Sequence, residues 1–279
     1  MTPEVRTSGV LYVVATPIGN LSDASPRSLD TLKSVDVVAC EDTRTTRTLL
    51  ARNGIAARTV ALHAHNERRA AAALIAALRE GKSVALVSDA GTPALSDPGA
   101  WLVAEAHRAG SRVSPVPGPS AAAAALSVSG FAAPRFLFAG FLPATAAARR
   151  KALEALDGPW PLVIYEAPHR IAETLQDLKQ KFGDTREILV ARELTKKFEE
   201  VARLPLAEAP AWLAARTERS QGEFVLVVAP GPERDRSEVD AEKVLQVLRE
   251  ALAPSEAARL AAKITGAPKN LLYRKALKS

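Results

Sequence analysis

The sequence predicts an α/β protein of two α/β domains followed by a small helical extension, and three observations carry that prediction. Short apolar runs alternate with helix-like segments, and nearly every run stops in a loop of small, polar or proline residues, the pattern of a largely parallel sheet with helices on both faces. Pro117-Gly118-Pro119-Ser120 then sets two prolines around a glycine, a stiff break that puts a domain boundary near Gly118. From Glu233 the composition becomes charged and then helical. The expected domains are 1–118, 119–232 and 233–279.

Composition bounds the function classes. The chain has 279 residues, 47% hydrophobic and 24% charged, enough to bury a full core. Lys and Arg outnumber Asp and Glu by 37 to 31, for a net charge of +6, a balance that favours polyanionic partners. Cys40 is the only cysteine, so no intrachain disulfide can form. The first apolar run, Val10 to Ala15, is far shorter than the roughly 20 residues of a membrane span. A cytoplasmic protein with no membrane association is expected.

In chain order, Val10 to Ala15 reads as a strand ending in Thr16-Pro17-Ile18-Gly19-Asn20. That loop lacks the three glycines of a dinucleotide fingerprint, which argues against an ordinary NAD site. Ser25-Pro26 starts a helix to about Ser34, and Val35 to Cys40 forms the second strand. Glu41, Asp42, Thr43 and Arg44 follow, with acids placed to favour the positive end of the next helix. Val60 to Leu62 is a third strand running into His63-Ala64-His65-Asn66-Glu67. Two histidines two apart share one strand face, but a metal site needs three or four ligands and the chain has four His and one Cys. No metal is expected there, and polar recognition or capping of the helix from Arg68 to Glu80 is preferred.

The stretch Val84 to Gly99, VALVSDAGTPALSDPG, is the strongest local signal. Val84 to Val87 reads as a buried strand, and ligands of open α/β sheets bind beyond the carboxyl ends of strands, where Ser88 to Thr92 lie. Ser96 or Asp97 is placed to cap a helix whose first turn holds Pro98. A helix from Trp101 to Ala109 and a short strand from Arg112 to Val116 complete the first half.

In the second half, Phe136 to Ala139, Leu162 to Tyr165, Ile188 to Ala191 and Gly222 to Ala229 read as strands. Arg149-Arg150-Lys151 suits a solvated helix start or a phosphate contact. The extension reads as a charged linker, Glu233 to Asp240, then helices at Ala241–Leu252, Ser255–Ile264 and Lys269–Leu277 with helix-turn-helix spacing. Between Ala257 and Ser279 stand six basic residues and no acidic one, which suggests RNA or DNA contact.

Six ordered motifs resemble one family. LYVVATPIGNL at Leu11 to Leu21, CEDTR at Cys40 to Arg44, SDAGTPALSDPG at Ser88 to Gly99, PVPGPSA at Pro115 to Ala121, YEAPHR at Tyr165 to Arg170 and RELTKKFE at Arg192 to Glu199 together look like the tetrapyrrole methylase superfamily, the class III methyltransferases. The resemblance is nearest to its branch that methylates a cytidine 2'-hydroxyl in the decoding region of 16S ribosomal RNA in the small subunit. The basic tail is similar to that branch's helical domain. The resemblance implies two α/β domains with S-adenosylmethionine in the trough between them, usually in a homodimer. A small-molecule tetrapyrrole methylase and a non-catalytic ribosomal RNA-binding module are the alternatives.

Carried over by position, the resemblance implies that Pro17, Ile18 and Gly19 lie near the cofactor, that Asp89, Ala90, Gly91, Leu95 and Ser96 form its main contacts, and that Ser120 touches it from the linker. Tyr165 and Glu166 would close over it, with Ala229 and Pro230 nearby. Methyl transfer to a ribose hydroxyl needs alignment, which can supply roughly 7–11 kcal/mol of barrier reduction. A carboxylate to take the proton would help, with Asp42 and Glu166 as candidates. Arg44, His169, Arg170, Arg192 and Lys196 follow strand ends and would meet RNA phosphates or base edges, joined by Lys269, Arg274 and Lys275 of the tail.

Overall fold

A computed structural model describes residues 9–132, 134–232 and 236–277, with the side chains of 236–240 excepted. It divides into two compact units, Met1–Leu156 with Pro161–Ala229, and Asp157–Trp160 with Pro230–Ser279. The break at Gly118 falls between two sheets inside the larger unit.

The first sheet contains β1 (Val10–Val14), β2 (Val37–Cys40), β3 (Thr59–Ala61), β4 (Val84–Val87) and β5 (Arg112–Val116), in the order β3-β2-β4-β1-β5. All its pairings are parallel, as the apolar runs and intervening helices predict. The crossovers are α1 (Pro26–Ser34), α2 (Thr43–Arg52), α3 (Glu67–Arg79) and α4 (Ala100–Arg108). Alternate residues of the central strands feed two cores. Leu11, Ala39, Val84 and Leu86 pack toward α3 and α4, whereas Val14, Val38, Ala85 and Val87 join Leu32 and Leu50. β1 lies between β4 and β5, so the chain leaves β1 toward one side and β4 toward the other, and a crevice opens at their carboxyl ends.

After α5 (Ala121–Ser129) comes a mixed sheet, in which β6 (Leu137–Phe141), β7 (Leu162–Glu166), β8 (Glu187–Arg192), β9 (Glu200–Pro205) and β10 (Phe224–Val228) take the order β6-β7-β10-β8-β9. Only β6 and β7 run parallel; β10 is antiparallel to both β7 and β8. α6 (Ala146–Leu156), α7 (Ile171–Phe182) and α8 (Ala209–Ala214) belong to the same half, and α5 packs Ala122 and Ala125 on Val163, Leu189 and Val227.

Three local expectations change. Arg149 is neither solvated nor free for phosphate: its guanidinium is 1% exposed, donating to Asp177 at 2.6 Å and Glu173 at 3.2 Å. Neither Ser96 nor Asp97 caps α4; Gly99 is its N-cap, and Glu67 accepts from the amides of Gly99 (2.8 Å) and Trp101 (3.1 Å). The side chain of Asn66 makes no cap to α3, instead closing the preceding turn through Ala61 O and His63 N.

The smaller unit holds α9 (Arg236–Arg249), α10 (Pro254–Thr265) and α11 (Lys269–Ala276), so most of the expected linker is helix. Ala241, Leu245, Ala257, Ala261 and Leu272 form its core, and Gly231 N donates to Gly158 O at 2.7 Å. Among the described residues no helix is long and apolar enough to cross a membrane.

Candidate functional site

The crevice at the ends of β1 and β4 opens into a cavity of about 420 Å³, within the size range of small-molecule sites. Its floor comes from the first sheet. Thr16 and Gly91 exchange backbone hydrogen bonds (2.9 and 3.0 Å), which tie the loop after β4 to the loop after β1 and bring Ile18 to the wall. Asp89, Ala90, Gly91, Leu95, Ser96 and Asp97 follow along the loop. Ala94 and Ser96 hold φ of 64° and 69°, a left-handed backbone that costs of order 1–3 kcal/mol per non-glycine residue and persists only where its surroundings enforce it.

The opposite wall comes from the second sheet. Gly140, at the bulge of β6, approaches so closely that a Cβ there would lie 2.6 Å from Ser96 Oγ, which seats this sheet directly on the loop. Phe141, Tyr165, Leu194, Phe224 and Val225 make an apolar and aromatic face. Tyr165 is fixed by the edges of Phe138 and Phe141 and by Ala122 N, which donates to its hydroxyl at 3.2 Å. Ser120 lines the cavity from the linker and caps α5.

The electrostatics of the cavity are acidic. Asp89 Oδ1 accepts from Asp42 N at 3.1 Å. Glu166 is buried, with Oε2 accepting from Thr174 Oγ1 at 2.6 Å and Oε1 from Ala167 N at 2.8 Å; Arg170 Nε stands 3.2 Å from Oε1 but off its hydrogen-bonding line. Asp97 is half-buried and is approached by the Ser88 hydroxyl, which also donates to Ala90 O and Gly91 O. Burial, and then the charge of Asp89, push the Asp97 carboxyl above its ordinary range.

The structure therefore brings Ile18, Asp89, Ala90, Gly91, Leu95, Ser96, Ser120, Tyr165 and Glu166 together, but not every residue the motifs single out. Pro17 and Gly19 do not line the cavity. Nor do Ala229 and Pro230, because β10 is antiparallel to its neighbours: its first residues, Phe224 and Val225, meet the carboxyl ends of β7 and β8, and Ala229 follows the far end. Asp42 also lies outside, as the N-cap of α2, held by Arg44, whose guanidinium hydrogen bonds bring its carboxyl down to about 2. Missed were Phe141, Leu194, Phe224, Val225 and Asp97, because periodicity assigns apolar side chains to the core without showing which sheet end is open.

Of the basic candidates, His169 is exposed after β7. Arg44 is committed to Asp42 at 2.7 Å, and Lys196 to Glu193 and Glu223, each at 2.8 Å. Arg170 is mostly covered and donates to Leu142 O and Pro143 O. Arg192 is buried, donating to Gln221 O (2.6 Å) and Phe198 O (3.2 Å), so it is a scaffold residue and not a phosphate contact. Arg192→Ala leaves both carbonyls without that partner, at about 1–3 kcal/mol. It should lower the thermal midpoint by several degrees and leave the salt dependence of RNA binding unchanged; a shallower slope with full stability would return Arg192 to the RNA surface.

Comparison with known proteins decides the family, since the sequence pattern described as Tetrapyrrole (Corrin/Porphyrin) Methylases matches residues 10–210. The chain belongs to that family. A further pattern, the RsmI C-terminal HTH domain, matches residues 235–279. Ribosomal RNA small subunit methyltransferase I of Xylella fastidiosa (strain Temecula1) is 52% identical over 271 residues, spanning 96% of this chain and 99% of that protein. The protein of the same name from Escherichia coli O157:H7 is 46% identical over 274 residues, spanning 98% and 96%. Among solved structures, the methyltransferase CobJ (TM-score 0.59, 21% identity, 81% of this chain and 96% of that one) and diphthine synthase (TM-score 0.59, 17% identity, 80% and 90%) share the fold. As a tetrapyrrole methylase family member, the chain is an S-adenosylmethionine-dependent methyltransferase.

The cavity suits that cofactor. A sulfonium cation joined to an adenine ring calls for an aromatic and apolar wall, backbone polar groups and nearby carboxylates. Phe141 and Tyr165, the left-handed loop from Gly91 to Ser96, and Asp89 with Asp97 supply these.

Proposed function

We propose that this protein methylates a cytidine 2'-hydroxyl in the decoding region of 16S ribosomal RNA. One observation carries the reading: near-full-length identity of about half to proteins named ribosomal RNA small subunit methyltransferase I, the C-terminal module included. We further take the enzyme to be cytoplasmic, where small subunits are, and homodimeric, as its family resemblance implies.

S-adenosylmethionine supplies an activated methyl carbon, so the protein's task is to align the ribose oxygen with it and to take up a proton. Ile18, the Gly91–Ser96 loop and the Tyr165 wall hold the cofactor. The proton acceptor we assign is Asp97. Asp42 is outside the cavity with its carboxylate bound by Arg44, and Glu166 is already filled by the Ala167 amide and the Thr174 hydroxyl. Glu223 is ion-paired with Lys196. Asp97 faces the cavity without an ion-pair partner among the described residues, and a carboxylate so placed accepts a proton more readily than an exposed one. The test is transfer of labelled methyl to isolated small subunits, followed by nuclease mapping: label on a cytidine ribose supports the reading, whereas label confined to a base, or transfer only to a tetrapyrrole, ends it.

The smaller unit contributes RNA affinity in this reading. Lys269 and Arg274 are exposed on α11, as is Lys263 on α10, while Lys275 is ion-paired with Glu242 and Lys278 lies outside the described residues. Truncation after Pro232 removes these three exposed cations, with Lys243 and Arg259 besides, but no residue of the cavity. Cofactor affinity should stay near the parent's, while affinity for small subunits falls tenfold or more at moderate salt, with a shallower salt slope. Parent-like affinity across the salt series would make the unit a structural appendage.

A further inference from the structure

One motif is not absorbed by the cofactor cavity: the segment His63-Ala64-His65-Asn66 and the start of α3. Beside it lies a separate open groove of about 560 Å³, bordered by His65, Asn66, Arg68, Arg69 and Trp101. Trp101 is 37% exposed. The Arg68 guanidinium stands over its ring, 4.9 Å from the centroid, and that of Arg108 at 5.5 Å, so the indole sits in a cationic frame.

Glu67 also borders this groove, but the groove's positive charge is not ion-paired among the described residues. Arg68 and Arg69 are exposed, and among the described residues neither has an ion-pair partner. Glu67, the nearest carboxylate in sequence, is spent on the amides of Gly99 and Trp101, and Glu105 is paired with Arg108. His65 is exposed, its ring 6.0 Å from that of His63, whose buried Nδ1 has no hydrogen-bond partner. Two guanidinium groups without ion pairs, one of them over a partly exposed indole, and an imidazole on one concave surface are the elements with which proteins hold single-stranded RNA: cations for phosphates, flat side chains for bases.

Position makes the groove useful. It lies beyond the carboxyl end of β3, on the same edge of the first sheet as the cavity, and β3 is separated from β4 by β2 alone. Two strand spacings are about 10 Å, a distance a few nucleotides cover. We propose that the groove is a docking site for single-stranded RNA flanking the methylated nucleotide, with a base against Trp101 and Arg68 and a phosphate at Arg69. The inference rests on the ribosomal RNA reading above and adds the path of the strand outside the cavity.

Three variants test it on the full chain: Arg68→Ala/Arg69→Ala together, Trp101→Ala, and Trp101→Phe as the conservative control. Binding to isolated small subunits and to protein-free 16S RNA is measured across a salt series, beside cofactor titration and methyl-transfer kinetics. The arginine pair should flatten the logarithmic salt slope by about 0.7 for each phosphate that is no longer neutralised. Trp101→Ala should weaken binding about 5- to 150-fold, the range for one stacked base, and Trp101→Phe should recover most of it. The losses should appear in KM with little change in kcat, and cofactor affinity should hold. If the parent transfers methyl to small subunits and all three variants bind with its affinity and slope, the groove is not an RNA site. Weakening on subunits but not on protein-free RNA would assign it to a ribosomal protein and likewise overturn the proposal. A parent that neither binds nor methylates small subunits would instead refute the reading of function on which it rests.

Discussion

Gly91→Val is expected to abolish S-adenosylmethionine binding in a protein that remains folded. Gly91 has φ of +80°, and its amide and carbonyl both bond to Thr16, so the residue cannot relax to another backbone region without breaking the tie between the two loops. A β-branched residue there meets strain of about 1–3 kcal/mol before any contact is counted. Its Cβ would stand 3.4 Å from Ile18 Cγ2 and 3.8 Å from Pro119 O, which leaves room for the first atom but turns the two methyl groups on the wall of the cavity. The larger unit should absorb this with a fall of a few degrees in thermal midpoint. Calorimetric titration with the cofactor should show no heat of binding; a folded variant that binds as the parent does would move the cofactor away from this loop.

The second large effect concerns chemistry. Asp97→Asn should lower kcat for methyl transfer by about 10²–10⁴-fold at saturating cofactor, the usual worth of a positioned proton acceptor, beyond the weaker cofactor binding that loss of one cavity charge brings. The pH profile separates this from a structural role. In the parent, kcat should fall as pH drops through the Asp97 pKa, which burial holds above the ordinary carboxylate value, and the variant should lose that acid limb. The sign for stability is opposite to that for activity. A raised folded-state pKa means that the protonated form favours the fold at low pH and that this contribution is gone at neutral pH, so the neutral amide should hold the thermal midpoint or raise it. Parent-like turnover, or activity fully restored by saturating cofactor, would remove Asp97 from the role of acceptor.

Local signals account for what the sequence revealed of this fold. Val84 to Val87 is wholly buried, and apolar runs of that kind located β1, β2 and β4 and the loops beyond them, which include most of the cavity floor. Asp42 could be read as a helix start because an N-cap acts over two residues. Contacts between distant segments were not legible. Glu67 caps a helix 32 residues away, a link that no spacing rule encodes, and so Ser96 and Asp97 took that role in the sequence reading. The buried states of Arg149 and Arg192 depend on partners 28 and 29 residues distant. β9 was invisible because Glu200–Pro205 is an edge strand with only one neighbour and mixed burial. The antiparallel course of β10 follows from the route of the chain and not from the strand's composition, which is why Phe224 at the open end was not read as a lining residue, while Ala229 was expected there from the resemblance alone.

The carboxylates on the loop after β4 bear on which molecules the crevice admits. In dinucleotide-binding proteins the corresponding helix start is where a pyrophosphate is held, by free amides and the positive pole of the helix. Here Glu67, outside the cavity, takes the Gly99 and Trp101 amides, and the cavity lining itself carries Asp89 and Asp97. The result is a filter by charge. Adenosine carrying a sulfonium can enter, whereas ATP, NAD and their relatives share the adenosine but meet an anionic wall where their phosphates would need to rest. Among abundant adenine nucleotides, such a wall would favour the one that carries positive charge.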